Sequence, residues 1–115
     1  MPQGVQEVNI KQDMPTADAA VRRVTYHLHT ARHLQFAVLK IIHGYGSSGT
    51  GGKIRTEVRA YLARQLMQKK LSAVIPGEQF SIFETPTQQL LRTCPDLRRD
   101  PDLDRHNNGV TLVVL

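Results

Sequence analysis

The sequence is poor in the residues that stabilise many small secreted domains. Its 115 residues include one cysteine, Cys94, so no disulfide can form within the chain and cysteines alone cannot build a zinc site. Tryptophan is absent and only three Phe and three Tyr are present, so aliphatic side chains must form most of the core. No apolar run approaches the ~20 residues of a membrane helix, and the first residues lack the basic and apolar pattern of a signal peptide. We therefore expect a cytoplasmic protein without membrane contact.

The positive charge of the chain is concentrated in one segment. The formal net charge is +5, and residues 53–70 hold six Lys or Arg against one Glu, whereas residues 71–115 are net acidic. A localised basic patch is typical of proteins that bind a polyanion, so DNA or RNA is the expected partner. A solvated helix face without a partner is the alternative.

Hydrophobic periodicity predicts alternating strands and helices in a chain of the length of one domain, 1–115. The predicted elements are strands at 5–10, 36–42, 79–83 and 110–115, main helices at 17–33 and 54–70, and a short helix at 85–93. Strand–helix–strand units favour parallel pairing through right-handed crossovers. The expected fold class is therefore α/β, a two-layer α/β sandwich in the order β-α-β-α-β-(α)-β with one small mixed four-stranded sheet.

A glycine-rich loop at 43–53 separates the second strand from the second main helix. Residues 44–49 match the G-x-G-x-x-G pattern of dinucleotide-binding folds. The acidic residue that should follow ~20 positions later is missing, since lysines occupy 69–70, and further glycines delay the helix. The spacing of a nucleotide-hydrolase phosphate loop is also absent. No cofactor is therefore indicated, and a divalent metal is left open.

The loop nevertheless has the composition of an anion-binding site. Glycines let backbone amides approach a ligand closely, and the helix that follows adds its free N–H groups and positive dipole end. Lys53, Arg55 and Arg59 crowd this helix end, where cations are unfavourable by roughly 0.3–1 kcal/mol each unless an anion is bound. A flexible solvated loop is the alternative. The loop glycines expected to take part are Gly44, Gly46 and Gly49.

His43 stands between the second strand and the loop, where two roles are open to it. It can contact a phosphate or transfer a proton at neutral pH, which makes it the candidate catalytic residue. It can also simply hold the end of the strand by hydrogen bonding.

The motif Ile-Ile-His-Gly-Tyr-Gly at 41–46, with Lys53-Ile54-Arg55 and the ending 108–115, resembles the small MutS-related (Smr) domain. The resemblance implies a single Smr-like domain, similar to the C-terminal domain of the third translation initiation factor, with a helix and loop inserted at 84–108. It also implies DNA or RNA binding, often with DNA-nicking or RNA endonuclease activity. His43, Gly44 and Gly46 match the loop motif of the family, and Arg55 matches its helix-opening arginine.

The first strand departs from the family pattern. Smr domains usually carry Leu-Asp-Leu-His-Gly, and the matching stretch here is Val-Asn-Ile-Lys-Gln at 8–12. Asn9 cannot accept a proton as an aspartate does, and Lys11 can bind phosphate but is a poor base. We therefore expect Lys11 to join the phosphate-binding residues, while cleavage is in doubt. The alternative function is an inactive protein-interaction module whose partner binds the acidic loop 96–104.

Three further groups of residues are weaker candidates. His29 and His33 have the spacing of two metal ligands on a helix, but no third ligand is evident, so surface histidines are expected. Cys94 has no basic neighbours and is not proposed as a nucleophile. An acidic run lacks the glycine and glutamate of a calcium loop and is expected to be a solvated loop neutralised by nearby arginines. Its members are Asp96, Asp100, Asp102 and Asp104.

Overall fold

Four strands and three helices form the fold in a computed structural model that describes residues 3–45 and 50–115. The elements are β1 (Gln3–Asn9), α1 (Ala17–His33), β2 (Phe36–Ile42), α2 (Thr50–Met67), β3 (Ala73–Pro76), α3 (Thr85–Thr93) and β4 (Val110–Val114). Two short 3₁₀ helices, Gly77–Gln79 and Pro95–Arg99, lie between them. No helix in these two ranges is long and apolar enough to cross a membrane.

The strands form one mixed sheet in the order β1-β2-β4-β3, which confirms the predicted fold class. β1 and β2 are parallel, and β4 runs antiparallel to both of its neighbours. The register pairs Asn9 with Ile42, Ile42 with Val110 and Thr111 with Pro76. The ends of β1, β2 and β3 therefore meet the start of β4 at one side of the sheet. We call this side the carboxyl edge; it comprises residues 10–12, 43–45, 77–78 and 106–109.

Helices α1 and α2 cover one face of the sheet. Apolar residues recur at helical spacing along both helices and meet the inward side chains of β1 and β2. Thr16 caps α1 by accepting the Ala19 N–H at 3.1 Å, and Asp18 lies in the first turn, where a carboxylate suits the helix dipole. The buried residues at this layer include Val24, Leu28, Leu39, Ile41, Val58 and Leu62.

Segment 84–108 covers the opposite face of the sheet. Leu90 of α3 and Leu97 of the second 3₁₀ helix pack with Phe80 against Val38 and Leu112. The predicted helix at 85–93 is confirmed, and it begins with proline in its first turn as the sequence indicates. The second face of the sheet is thus buried by the segment that sequence analysis treated as an insertion.

The predicted strand at 79–83 is wrong, because the third strand is Ala73–Pro76. Gly77 ends it: a Cβ on this residue would lie 1.8 Å from the carbonyl oxygen of Asn107, so only glycine permits the close approach. The chain then turns instead of extending. Phe80 is fully buried as a strand residue would be, but Phe83 is 86% exposed, so the apparent alternation in 79–83 does not reflect pairing.

The boundaries of the second main helix also differ from the prediction at 54–70. α2 begins at Thr50 and ends at Met67. Glycines at 51 and 52 have low helix propensity, which is why the sequence favoured a later start. The earlier start places Lys53 and Arg55 within the first two turns of α2.

Strand β2 carries a buried lysine that the sequence analysis did not single out. Lys40 is 2% exposed, and its Nζ lies 2.8 Å from Asp100 Oδ1 and 2.6 Å from Asp102 Oδ2. Burial alone lowers the pKa of Lys40, but the hydrogen bonds and charges of the two aspartates outweigh it and raise the pKa above its ordinary value. The expectation that arginines neutralise a solvated acidic loop is therefore wrong for Asp100 and Asp102, which turn inward onto Lys40.

Candidate nucleic-acid interface

The fold brings Lys11 and Gly44 together at the carboxyl edge, because they follow neighbouring parallel strands. A Cβ on Gly44 would lie 3.1 Å from Cδ of Lys11, so the lysine side chain lies against this glycine. Gly44 has a φ of +86°, a left-handed conformation that favours glycine. The side chain of Asn9 accepts the Lys11 N–H at 3.0 Å and so shapes the turn after β1. Asn9, which stands where the family pattern has an aspartate, therefore has a structural role in this turn.

Lys53 and Arg55 lie in the first two turns of α2, and the charge of Arg55 acts on His43 and Glu78. The first turn of α2 contains no acidic residue, and its N–H groups have no partner within the helix. Lys53 is exposed and Arg55 is partly buried. Within residues 3–45 and 50–115, neither side chain forms a hydrogen bond or an ion pair. In the described part of the chain these two cations thus have no ion-pair partner, although the charge of Arg55 acts on Glu78.

Arg59, in contrast, is already held by the protein. Its guanidinium donates two hydrogen bonds to Glu78, at 2.8 and 2.6 Å, and one to the carbonyl oxygen of Asn108 at 3.1 Å. The hydrogen bonds from Arg59 hold the pKa of Glu78 below its usual range. A phosphate contact by Arg59 stays a prediction. In the structure, Arg59 connects α2 through hydrogen bonds to Glu78 and to the residues before β4.

We expect the Arg59→Ala substitution to lower the free energy of unfolding by about 1–2 kcal/mol, because it removes charge-assisted hydrogen bonds that are partly shielded from water. Urea unfolding of Arg59→Ala, Glu78→Ala and the double variant should give a coupling of about 1 kcal/mol. Arg64→Ala, at an exposed position of the same helix, is the matched control and should change little. Additive effects of the two substitutions would show that the pair does not stabilise the fold.

His43 is buried and hydrogen-bonded through both ring nitrogens. It is 1% exposed, with Nε2 2.8 Å from Thr111 Oγ1 and Nδ1 3.0 Å from the carbonyl oxygen of Gly44. Because a carbonyl can only accept, Nδ1 carries the proton and Nε2 accepts from the Thr111 hydroxyl. The backbone N–H groups of His43 and Gly44 both donate to the carbonyl oxygen of Gly109, each at 3.0 Å. This arrangement matches the second role considered above, a histidine that holds the end of its strand.

The electrostatic environment keeps His43 neutral. Burial lowers its pKa to about 4, the charges of Arg59 and Arg55 add to the shift, and the Gly44 carbonyl opposes it. At neutral pH the single ring proton, on Nδ1, is donated to the Gly44 carbonyl and Nε2 accepts from Thr111, so neither nitrogen is free to exchange a proton with a substrate. Catalysis by His43 stays a prediction, and the geometry gives it no support.

This burial predicts a specific loss of stability in acid. Between pH 6.5 and 4 the unfolded chain binds a proton on His43 that the folded chain does not, so stability falls as the pH falls through this window. The free energy of unfolding should decrease by about 3 kcal/mol more in the wild type than in His43→Gln between pH 7 and 4. His29→Gln, at an exposed histidine of α1, is the control for the loss of a histidine as such. A constant difference between wild type and His43→Gln over this range would mean that His43 titrates normally.

Several residues of the carboxyl edge were missed by the sequence analysis. Tyr45 is 59% exposed and follows Gly44, against which Lys11 lies; its place as the variable residue of His-Gly-x-Gly could have drawn attention to it. Glu78 and Thr111 are fixed partners of Arg59 and His43, and nothing in the sequence marks them. Gly46 and Gly49, two of the predicted loop glycines, lie outside the described residues.

The structure gives no support to a metal site. In the two ranges that it describes, no three His, Cys, Asp or Glu side chains are grouped so that they could hold a metal ion. His29 and His33 are exposed on the outer face of α1, as expected of surface histidines. Cys94 is buried, and burial raises the pKa of its thiol.

The carboxyl edge thus combines a parallel strand pair, a glycine turn after β2 and basic residues in the first two turns of α2, in a small α/β domain. The Smr domain family matches residues 13–81, more than half of the chain, so this chain belongs to the Smr domain family. The resemblance inferred from the glycine loop is thereby confirmed. The matched range includes His43, Gly44 and Arg55 but begins after Lys11, so the altered first strand lies outside it.

Smr domains are generally associated with nucleic-acid binding and nuclease activity. Searches among curated proteins and among solved structures returned no significant match for this chain. The similarity to the C-terminal domain of the third translation initiation factor therefore stays an expectation.

Proposed function

We propose that this chain binds the phosphate backbone of DNA or RNA at the carboxyl edge of its sheet. Lys11, Lys53 and Arg55 are the phosphate ligands, and the free N–H groups at the start of α2 add to them. The observation that supports the proposal is that Lys11 lies against Gly44 while the charge of Arg55, in the second turn of α2, acts on His43 next to it. An anion at this point would be attracted by side chains, backbone N–H groups and helix dipole together.

The charges of the neighbouring residues strengthen this attraction. Glu78 lies within reach of the charge of Arg55, and Arg59 neutralises Glu78 through two short hydrogen bonds. Less negative charge is therefore left to compete with a phosphate for Arg55. Cations at a helix N-terminus cost roughly 0.3–1 kcal/mol each in the free protein, and a bound phosphate would turn this cost into a favourable interaction.

Within this proposal His43 positions the glycine turn and does not transfer protons. Its hydrogen bonds to Thr111 and Gly44, and its neutral state, fix the backbone from which the turn extends. Any cleavage of DNA or RNA would then need another residue as acid or base. A protein partner at the acidic loop 96–104 gains no support, because Asp100 and Asp102 are engaged by Lys40.

Titration of labelled DNA and RNA with the wild-type chain at several salt concentrations tests the proposal. Three phosphates neutralised on duplex DNA give a slope of roughly −2.7 in a plot of log affinity against log salt. The affinity should therefore fall steeply between low and physiological salt. Absence of binding, or an affinity that does not depend on salt, would refute backbone binding.

A further inference from the structure

An exposed aromatic ring lies at the glycine turn of the proposed backbone-binding surface. Tyr45 directly follows Gly44, whose N–H group is fixed by the carbonyl oxygen of Gly109 at 3.0 Å. A Cβ on Gly109 would lie 3.4 Å from Cδ1 of the tyrosine, so one edge of the ring packs close to Gly109. At the same time 59% of Tyr45 is open to solvent. The ring is thus supported by the protein on one side and accessible on the other.

The other two tyrosines have different surroundings. Tyr61 is partly buried, and its hydroxyl oxygen accepts a hydrogen bond from Thr25 at 2.8 Å. Tyr26 is exposed on α1, and its ring packs edge-on against that of His27. Neither belongs to the carboxyl edge. Tyr45 alone among the three stands beside the glycine turn and its cations, a position that core packing does not explain.

A supported aromatic ring among cations is suited to nucleotides whose bases are free. Bases in a duplex are stacked on one another, so an aromatic side chain cannot reach their faces without unstacking them. In a single strand the bases can stack on aromatic side chains while Lys and Arg hold the backbone. Lys11 lies against Gly44, the residue before Tyr45, and Arg55 is close enough for its charge to act on His43. One cation therefore lies against the residue before the ring, and the charge of a second acts on the residue before that.

We propose that this site prefers unpaired DNA or RNA over duplex, and that Tyr45 sets the preference by stacking on one base. The inference rests on the proposed backbone binding, and it adds a substrate class and a specificity-determining residue to it. Stacking requires a planar ring but does not require the hydroxyl group. Tyr45→Phe should therefore keep the preference for single strands, and Tyr45→Ala should lose it. Because stacking involves no net charge, the salt dependence of the affinity should come from the cations alone.

The test compares one labelled oligonucleotide as a single strand and as a duplex. The wild type should bind the single strand more tightly. Tyr45→Ala should weaken single-strand binding about fivefold or more while duplex binding and the salt slope stay unchanged. Tyr45→Phe should bind like the wild type. Tyr26→Ala removes a similarly exposed tyrosine away from the edge, and it should have no effect.

Tyrosine fluorescence gives an independent measurement, because the chain has no tryptophan. A single strand should quench the emission of the wild type but not that of Tyr45→Phe, although both bind it. Unchanged single-strand affinity in Tyr45→Ala, with a steep salt slope in the wild type, would overturn the stacking proposal and leave backbone binding intact. Tighter binding of the duplex by the wild type would also overturn it. Absence of salt-dependent binding to either form would instead refute the proposed function itself.

Discussion

The Lys40→Met substitution should lower the free energy of unfolding by about 3 kcal/mol, although methionine fills a similar volume. Removing one partner of a buried ion pair costs about 3–5 kcal/mol, because the charge left behind is uncompensated. Here two carboxylates would be left behind, those of Asp100 and Asp102, with side chains only 12% and 21% exposed. Both carboxylates keep some contact with water, which places the cost at the lower end of the range.

The effect of Lys40→Met should extend to the proposed binding surface, because a chain of hydrogen bonds connects Asp102 to the glycine turn. The Oδ1 atom of Asp102 accepts from Asn107 Nδ2 at 2.8 Å, and Asn107 Oδ1 accepts the Gly109 N–H at 2.9 Å. The carbonyl oxygen of Gly109 in turn accepts the N–H groups of His43 and Gly44. A lysine on one face of the sheet thus supports the glycine turn at its edge.

Urea unfolding of Lys40→Met, with a rescue variant, checks this prediction. Adding Asp100→Asn and Asp102→Asn removes the uncompensated charges and keeps both Oδ1 acceptors, so most of the stability should return. A loss below about 1 kcal/mol for Lys40→Met alone would show that the ion pair is not important for stability. Equal stability of the single and triple variants would show that charge is not the cause.

The second large effect is an expected loss of affinity for nucleic acid. Replacing both Lys53 and Arg55 with glutamine should weaken the affinity for DNA and RNA about thirtyfold at low salt, since each lost phosphate contact is worth roughly 1 kcal/mol. The variant should be at least as stable as the wild type, because two cations leave the positive end of α2. Weaker binding together with equal or greater stability is the signature of residues retained for a ligand.

A charge-matched variant separates this effect from the net charge of the chain. Lys69→Gln with Lys70→Gln removes the same charge from two exposed residues after the other end of α2. This control should bind nucleic acid nearly as well as the wild type. If both pairs weaken binding equally, the basic residues act through total charge and the carboxyl edge is not the binding surface.

Elements with a strong periodic pattern could be predicted from the sequence. The bounds predicted for α1 and β2 are those observed, because helical spacing, the Thr16 cap and an unbroken apolar run all indicate the same boundaries. β3 was misplaced because its four residues are too short to show alternation. The close passage of Gly77 past Asn107, which ends the strand, depends on the packing of a distant loop.

The candidate site was predictable in position but not in the roles of its residues. The match of residues 8–12 to the first strand of the family was enough to group Lys11 with the glycine loop as a phosphate-binding residue. His43 is buried against Thr111 of β4, and Arg59 pairs with Glu78 of the 3₁₀ helix after β3. Both partners are distant in sequence and come into contact only when the chain folds. Similarly, Lys40 looks like an isolated charge in an apolar strand until the acidic loop folds over it.

The most direct test of backbone binding at the carboxyl edge is the salt slope of duplex DNA binding by the wild type and by the Lys53→Gln, Arg55→Gln variant. If both residues bind phosphates, the slope of log affinity against log salt should be shallower by roughly 1.8 in the variant. The Lys69→Gln, Lys70→Gln control should keep the wild-type slope. Equal slopes for the wild type and the Lys53→Gln, Arg55→Gln variant would contradict the assignment of these residues to the phosphate backbone.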